Sequence, residues 1–123
     1  MATTEYHDLV IIGSGPAGLS ASIYATRAML DAITIEQTTI GGQVITTNEI
    51  DNYPGVPNTT GFELMDLMEK QARDLGAQIV MDNIVSIEKD QASGIFTIVG
   101  GSANYKGKGV NFSTGATPRP SGF

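Results

Sequence analysis

The chain has 123 residues, 41% hydrophobic and 16% charged, which suits one globular domain with a single modest core. Thirteen acidic side chains against seven scattered basic ones leave a net charge of −6, which argues against nucleic acid or an anionic membrane as partner. The absence of cysteine excludes disulfides, thiolate metal sites and dithiol chemistry within these residues.

The first element is the apolar run Asp8-Leu9-Val10-Ile11-Ile12. Its shortness and β-branched content predict a strand buried on both faces, as in a parallel sheet. Gly13-Ser14-Gly15-Pro16-Ala17-Gly18 follows at once, and residues 16–29 read as a helix. Pro16 stands where the first helical turn tolerates a missing N–H. Ala17, Ala21, Ala25 and Ala28 form a stripe of small residues that would let the helix approach a sheet. Ala32-Ile33-Thr34-Ile35 predicts a second strand ending at Glu36, which completes a βαβ unit.

No period persists over residues 37–61, and a loop of that length in a small domain is usually functional or disordered. Thr60-Gly61-Phe62-Glu63 has the spacing of a capping box. Met65, Met68, Ala72 and Leu75 recur behind it at helical spacing, and Gly76 is placed to end the helix. Gln78-Ile79-Val80-Met81 reads as a third parallel strand. Residues 84–88, 95–99 and 103–106 are short strand-like runs separated by glycine and serine, which predicts a three-stranded antiparallel meander. Val110-Asn111-Phe112-Ser113 is expected to be a final short strand, followed by a turn at Thr114-Gly115-Ala116-Thr117-Pro118. Met1 to Glu5 lack the basic and apolar regions of a secretory leader, and no apolar stretch is long enough to span a bilayer. The expected address is therefore the cytoplasm. His7 is expected on the surface ahead of the first strand, and one histidine cannot assemble a metal site.

Gly13-x-Gly15-x-x-Gly18 is the main chemical signal. The first glycine permits the tight turn out of the strand. The second lets the backbone approach a pyrophosphate, and the third lets helix and strand pack closely. The bare pattern is weak in a chain with 15 glycines. A buried strand before it, a helix after it and Glu36 at the end of the next strand make it strong. That carboxylate has the spacing expected for a contact to ribose hydroxyls. A dinucleotide, FAD or NAD, is the predicted ligand, and a helix N-terminus can hold its phosphates without lysine.

Val10-Ile11-Ile12-Gly13-Ser14-Gly15-Pro16-Ala17-Gly18-Leu19-Ser20-Ala21 resembles the opening of the flavoproteins that carry two dinucleotide-binding domains. Ile40-Gly41-Gly42-Gln43 and Asp51-Asn52-Tyr53-Pro54-Gly55 resemble the low-molecular-weight thioredoxin reductases within that group. Ser113-Thr114-Gly115-Ala116-Thr117-Pro118-Arg119 resembles the turn that closes their first FAD segment. The resemblance implies that Gly13, Ser14, Gly15, Pro16 and Ala17 line the FAD pyrophosphate, and that Glu36 and Gln37 meet the adenosine. It places Gly42, Gln43 and Asn52 toward the flavin, Ile84 near the adenine, and Thr114, Gly115 and Ala116 close to the cofactor. Read from the residues alone, Gln43 and Asn52 are as well explained by surface solvation, and Ile84 by core packing.

The resemblance further implies an α/β, Rossmann-like parallel sheet with a meander attached. Residues 1–118 would be the first FAD segment and 119–123 the start of a linker. In the family the chain goes on to an NADPH domain with a redox-active dithiol and then returns to complete the FAD domain. Neither is in this sequence, so catalysis by these residues alone is not expected. NADPH as cofactor and thioredoxin as partner belong to the family reading only. Uncovered sheet edges suggest a homo-oligomer or pairing with a complementing chain. A related reductase that serves ferredoxin or flavodoxin, and a non-catalytic FAD-binding remnant or designed fragment, stand as alternatives. One local departure is the polar, glycine-rich stretch Gly107-Lys108-Gly109-Val110-Asn111-Phe112-Ser113, where the family has an apolar strand. A frayed or exposed strand is expected there.

Overall fold

The computed structural model describes residues 3–37, 55 and 58–114. In chain order they form β1 (Thr3–Ile12), α1 (Pro16–Arg27), β2 (Ala32–Glu36), α2 (Gly61–Asp74), β3 (Gln78–Met81), β4 (Ile84–Lys89), β5 (Phe96–Gly100) and β6 (Ala103–Phe112). The strands make one six-stranded sheet in the order β3-β2-β1-β6-β5-β4. β1 pairs in parallel with both β2 and β6, and β2 with β3. β4, β5 and β6 pair antiparallel. The βαβ unit, the third parallel strand and the meander expected from the sequence are all present, in an α/β sheet.

Besides one-residue shifts in β4 and β5, β1 and β6 differ from expectation, for one reason. The segments expected as separate strands at 103–106 and 110–113 are a single ten-residue strand, β6. It lies beside β1 from the Thr3↔Ala103 pair to the Ile12↔Phe112 pair, so β1 begins at Thr3 rather than Asp8. Gly107, which reads in the sequence as an interruption, lets the two strands close up, since a Cβ there would stand 3.0 Å from Val10 Cγ2. Of the two expectations for this stretch, exposure holds at Lys108, Asn111 and Phe112, and fraying does not occur. β6 is paired with β1 up to Phe112. Asn111 is exposed, and its amide oxygen accepts a hydrogen bond from the Ser113 hydroxyl, so no amide is buried there at a cost. β5 covers β6 only as far as Gly107. Among the described residues, the half of β6 beyond it is paired on one side only.

The centre of the parallel half, β2 and the end of β1, is buried on both faces, as the unbroken apolar run in β1 requires, whereas Tyr6 on β1 and Val85 on β4 are exposed. On one face Val10, Ile12, Ile33, Ile35, Ile98, Ala103 and Tyr105 pack together, with Ile84, Phe96 and Val110 against them. On the other, α1 and α2 bury Leu19, Leu64, Met65, Met68, Ala72 and Ile79, and Ile11 packs with Ala25 and Ala32. The alanine stripe of α1 is only half used, because Ala17 and Ala28 are exposed. Its buried positions are Gly18, Leu19, Ser22 and Ala25. Ala17 lies in the first turn of α1 and Ala28 is its C-cap, outside the helix, so both ends of the stripe fall where the helix no longer lies against the sheet.

α2 begins where its sequence predicts, with one of the two bonds of a capping box in place. The Thr60 side chain accepts a hydrogen bond from Glu63 N–H at 3.1 Å. The Glu63 carboxylate is met by the Thr59 hydroxyl at 3.3 Å. Leu75 is the C-cap, outside the helix and exposed, and Gly76 follows at φ +101°. His7 corrects its expected position. It lies inside β1, and its nearly buried imidazole sits 2.8 Å from Asp31 Oδ1 and 3.1 Å from Glu5 Oε1.

Candidate functional site

β1 runs out at Ile12 and the chain turns at once. Gly13 has φ +105°, a conformation that side chains disfavour, and its N–H donates to the Ile35 carbonyl at 2.9 Å. A Cβ on Gly13 would overlap the Ser113 carbonyl oxygen, and one on Gly18 would overlap the Gly13 carbonyl oxygen. Turn geometry and close approach thus require two of the three glycines. Gly15 is the N-cap of α1 at φ −71° and has no side chain to cap the helix, Pro16 is its first residue, and the first turn holds no acidic residue. The N-terminal N–H groups of α1 therefore receive no side-chain cap from Gly15, whereas α2 has its own in Thr60.

Ser14 is fully buried. Its N–H donates to Glu36 Oε1 at 3.0 Å and its hydroxyl to the same oxygen at 2.8 Å. Gln37 N–H donates to Glu36 Oε2 at 2.9 Å. Glu36 is 8% exposed, at the carboxyl end of β2 beside the glycine turn. The sequence alone gives Ser14 and Glu36 separate contacts to one ligand. The structure joins them to each other, which fixes the turn against β2. The exposed Gln37 also reaches sideways, and its amide oxygen accepts from Ile84 N–H at 3.0 Å. Ile84 is half-buried at the start of β4 and packs on the sheet core, so it is both core and rim.

The last motif comes to the first. Ser113 N–H donates to the Ile12 carbonyl at 2.8 Å, which sets Thr114 beside Gly13. Gly13, Ser14, Gly15, Pro16, Ala17, Glu36, Gln37, Ile84 and Thr114 thus gather at the carboxyl ends of the parallel strands. Gly42, Gln43, Asn52, Gly115 and Ala116 lie outside the described residues. The sheet order reverses direction at β1, with β2 on one side and β6 on the other. A crevice outside the strand ends at such a switch point is where open α/β sheets bind ligands.

Asp82 carries no distinct signal in the sequence. It is buried after β3, and its carboxylate accepts from Asn83, Ser102 and Ala103 N–H and from the Tyr105 hydroxyl. Only a lone aspartate before the meander marks it in the sequence, and nothing local points to partners some twenty residues away.

The profile of the pyridine nucleotide-disulphide oxidoreductase family matches residues 7–123. The chain is 49% identical over 117 residues to a thioredoxin reductase of Peptoclostridium acidaminophilum, covering 94% of this chain and 36% of that one. It is 40% identical over 120 residues to a glucosaminate ammonia-lyase of Pseudomonas fluorescens, covering 97% and 37%. Its fold is similar to that of a thioredoxin reductase from Gloeobacter violaceus, with a TM-score of 0.87 at 26% identity over 96% of this chain and 37% of that one. The chain therefore spans little more than a third of the length of these relatives. With its glycine turn, its anchored glutamate and its strand order, the chain belongs to the pyridine nucleotide-disulphide oxidoreductase family.

Proposed function

We propose that these residues bind FAD as the first cofactor segment of a flavoprotein most similar to thioredoxin reductase. The observation that carries the reading is the Ser14–Glu36 hydrogen-bond pair. It pins a glycine turn, with an α1 N-terminus that Gly15 cannot cap, at the switch point of the sheet. That arrangement suits a pyrophosphate on N–H groups and ribose hydroxyls at a carboxylate. The residues fit the group. Gly13, Ser14, Gly15, Pro16 and Ala17 would hold the pyrophosphate, Glu36 and Gln37 the adenosine ribose, and Ile84 the adenine. Thr114, Gly115 and Ala116 would follow along the cofactor, with Gly42, Gln43 and Asn52 toward the flavin.

Bound FAD would carry electrons from NADPH to a disulfide, with thioredoxin as acceptor and a cytoplasmic setting, in a polypeptide as long as the relatives. The residues described here would bind and orient it. No helix among the described residues is long and apolar enough to cross a membrane. The half of β6 that has no second neighbour among the described residues is where a further strand of the same polypeptide or a second chain would pair. A similar segment occurs in a protein named for an ammonia-lyase reaction, so the electron acceptor is read from the thioredoxin reductase likeness and not from the nucleotide turn.

The reading is tested by FAD titration of the full-length protein. Gly15→Val should abolish binding with little change in far-UV circular dichroism, because its side chain would stand against the pyrophosphate. Glu36→Ala should weaken FAD by about 1.5–3 kcal/mol, the range for hydrogen bonds to a charged partner. Binding unchanged in both variants would reduce the motif to a turn.

A further inference from the structure

Asp82 sits just beyond β3 and is 8% exposed. Its Oδ2 accepts from the Tyr105 hydroxyl at 2.8 Å and from Ala103 N–H at 3.3 Å. Its Oδ1 accepts from Asn83 N–H at 2.8 Å and Ser102 N–H at 3.0 Å. The β5–β6 turn wraps the carboxylate so tightly that a Cβ on Gly100 would collide with Oδ2. Gly101 N–H adds a bond to the Asn83 carbonyl at 2.8 Å. Residues 82–84 are thereby fastened to the β5–β6 hairpin on one side.

On the other side the same residues are fastened to the end of β2. Asp82 N–H donates to the Glu36 carbonyl at 3.0 Å, and Ile84 N–H donates to Gln37 Oε1 at 3.0 Å. Glu36 in turn receives Ser14. One line of hydrogen bonds therefore runs from the hairpin through Asp82 to the glycine turn. Burial pushes the Asp82 carboxyl up, but the Tyr105 hydroxyl and the three N–H donors outweigh it and hold the group below its ordinary range. Burial, and then Asp82, push the Tyr105 phenol up, so it keeps its proton and stays a donor.

We infer that Asp82, clamped by Tyr105 and the β5–β6 turn, is a positioning residue for the adenosine end of the dinucleotide site. It sets where Glu36, Gln37 and Ile84 stand relative to one another. The inference rests on the dinucleotide reading above and adds to it a residue that need not touch the ligand. A purely structural role would lower stability without singling out the ligand contacts made by Glu36.

The test measures dissociation constants for FAD and ADP in the full-length protein, well below every variant's melting temperature. Tyr105→Phe removes one donor and keeps the ring, and Asp82→Asn sets amide hydrogens against backbone donors. Both should weaken FAD and ADP about five- to twentyfold, less than the loss of a direct hydrogen bond to a charged partner, because the effect is relayed through Glu36 and Gln37. Met68→Ala, a core truncation under α2, should leave both constants unchanged while lowering the melting temperature. In a Glu36→Ala background the Tyr105→Phe penalty should fall by at least half, because residues acting through one another are not additive. If wild type binds FAD and ADP while Tyr105→Phe binds them as tightly as Met68→Ala does, the inference is overturned and the dinucleotide reading stands. A penalty undiminished in the Glu36→Ala background overturns it too. Wild type that binds neither ligand removes both. Should Asp82→Asn fail to fold, Tyr105→Phe decides alone.

Discussion

At the residue scale the site is built from refusals of side chains. Gly13 is needed for its backbone angle and Gly18 for the oxygen that a Cβ would strike. Gly18→Ala introduces a helix-favouring residue in α1 yet forces the helix off the turn. It should destabilise the fold by about 1–3 kcal/mol, as overpacking does, and lower FAD affinity in parallel. Urea unfolding with a flavin titration checks both, and an unchanged unfolding midpoint would mean that α1 can shift freely. Both glycines are legible in the sequence because the motif names them. Glu36 is legible as a carboxylate at the right spacing, but its bonds to Ser14 are not. They depend on β2 lying beside β1 in register, with Ile12 opposite Ile35.

At the element scale, local chemistry and tertiary pairing divide the work unevenly. α2 is locally specified by a cap, an amphipathic face and a glycine stop. Thr60→Ala should cost about 1 kcal/mol, the usual loss for an N-cap hydroxyl, and Thr60→Ser should restore most of it. Thermal melts of the three proteins give the comparison, and equal melting of the wild type and the Thr60→Ala variant would put the start of α2 under tertiary control. β6 is the opposite case. Glycine, lysine and asparagine are poor strand residues, and by local preference the segment divides in two. β1 supplies a partner along its whole length, and the paired backbone outweighs the propensities.

At the scale of the whole molecule, charge couples the two halves of the sheet. Asp82 ties the meander to the parallel strands, and its carboxyl is held below the ordinary value of 3.8 by four hydrogen bonds that outweigh burial. Asp8 is lowered chiefly by the Asp31 N–H, and Asp90 chiefly by the Ser93 hydroxyl. A carboxyl whose folded pKa is depressed stabilises fully above its unfolded value and loses that stabilisation as pH falls through the folded one. Stability should thus be level from about pH 7 to about pH 4 on account of these groups and then decline. Tyr105→Phe should lower the plateau and flatten the acid limb, because part of the Asp82 depression goes with the phenol. Urea midpoints from about pH 7 to about pH 2, through the decline, test this, and parallel acid limbs in the two proteins would remove Asp82 from the account.

The sequence by itself determined the βαβ unit, the glycine turn, the start and stop of α2 and the likeness to a flavoprotein family. Each is written in residues close together, where periodicity, capping and turn chemistry act within a few positions. The tertiary structure alone decided that β6 is one strand against β1, that His7 is held between two carboxylates, and that Ser14 closes on Glu36. It also decided that Asp82 is the knot between hairpin and sheet. Apart from the His7–Glu5 contact, two positions apart on β1, these contacts join residues some twenty to a hundred positions apart. A hydrogen bond of that span is fixed by strand order and register, which no local preference of the chain encodes.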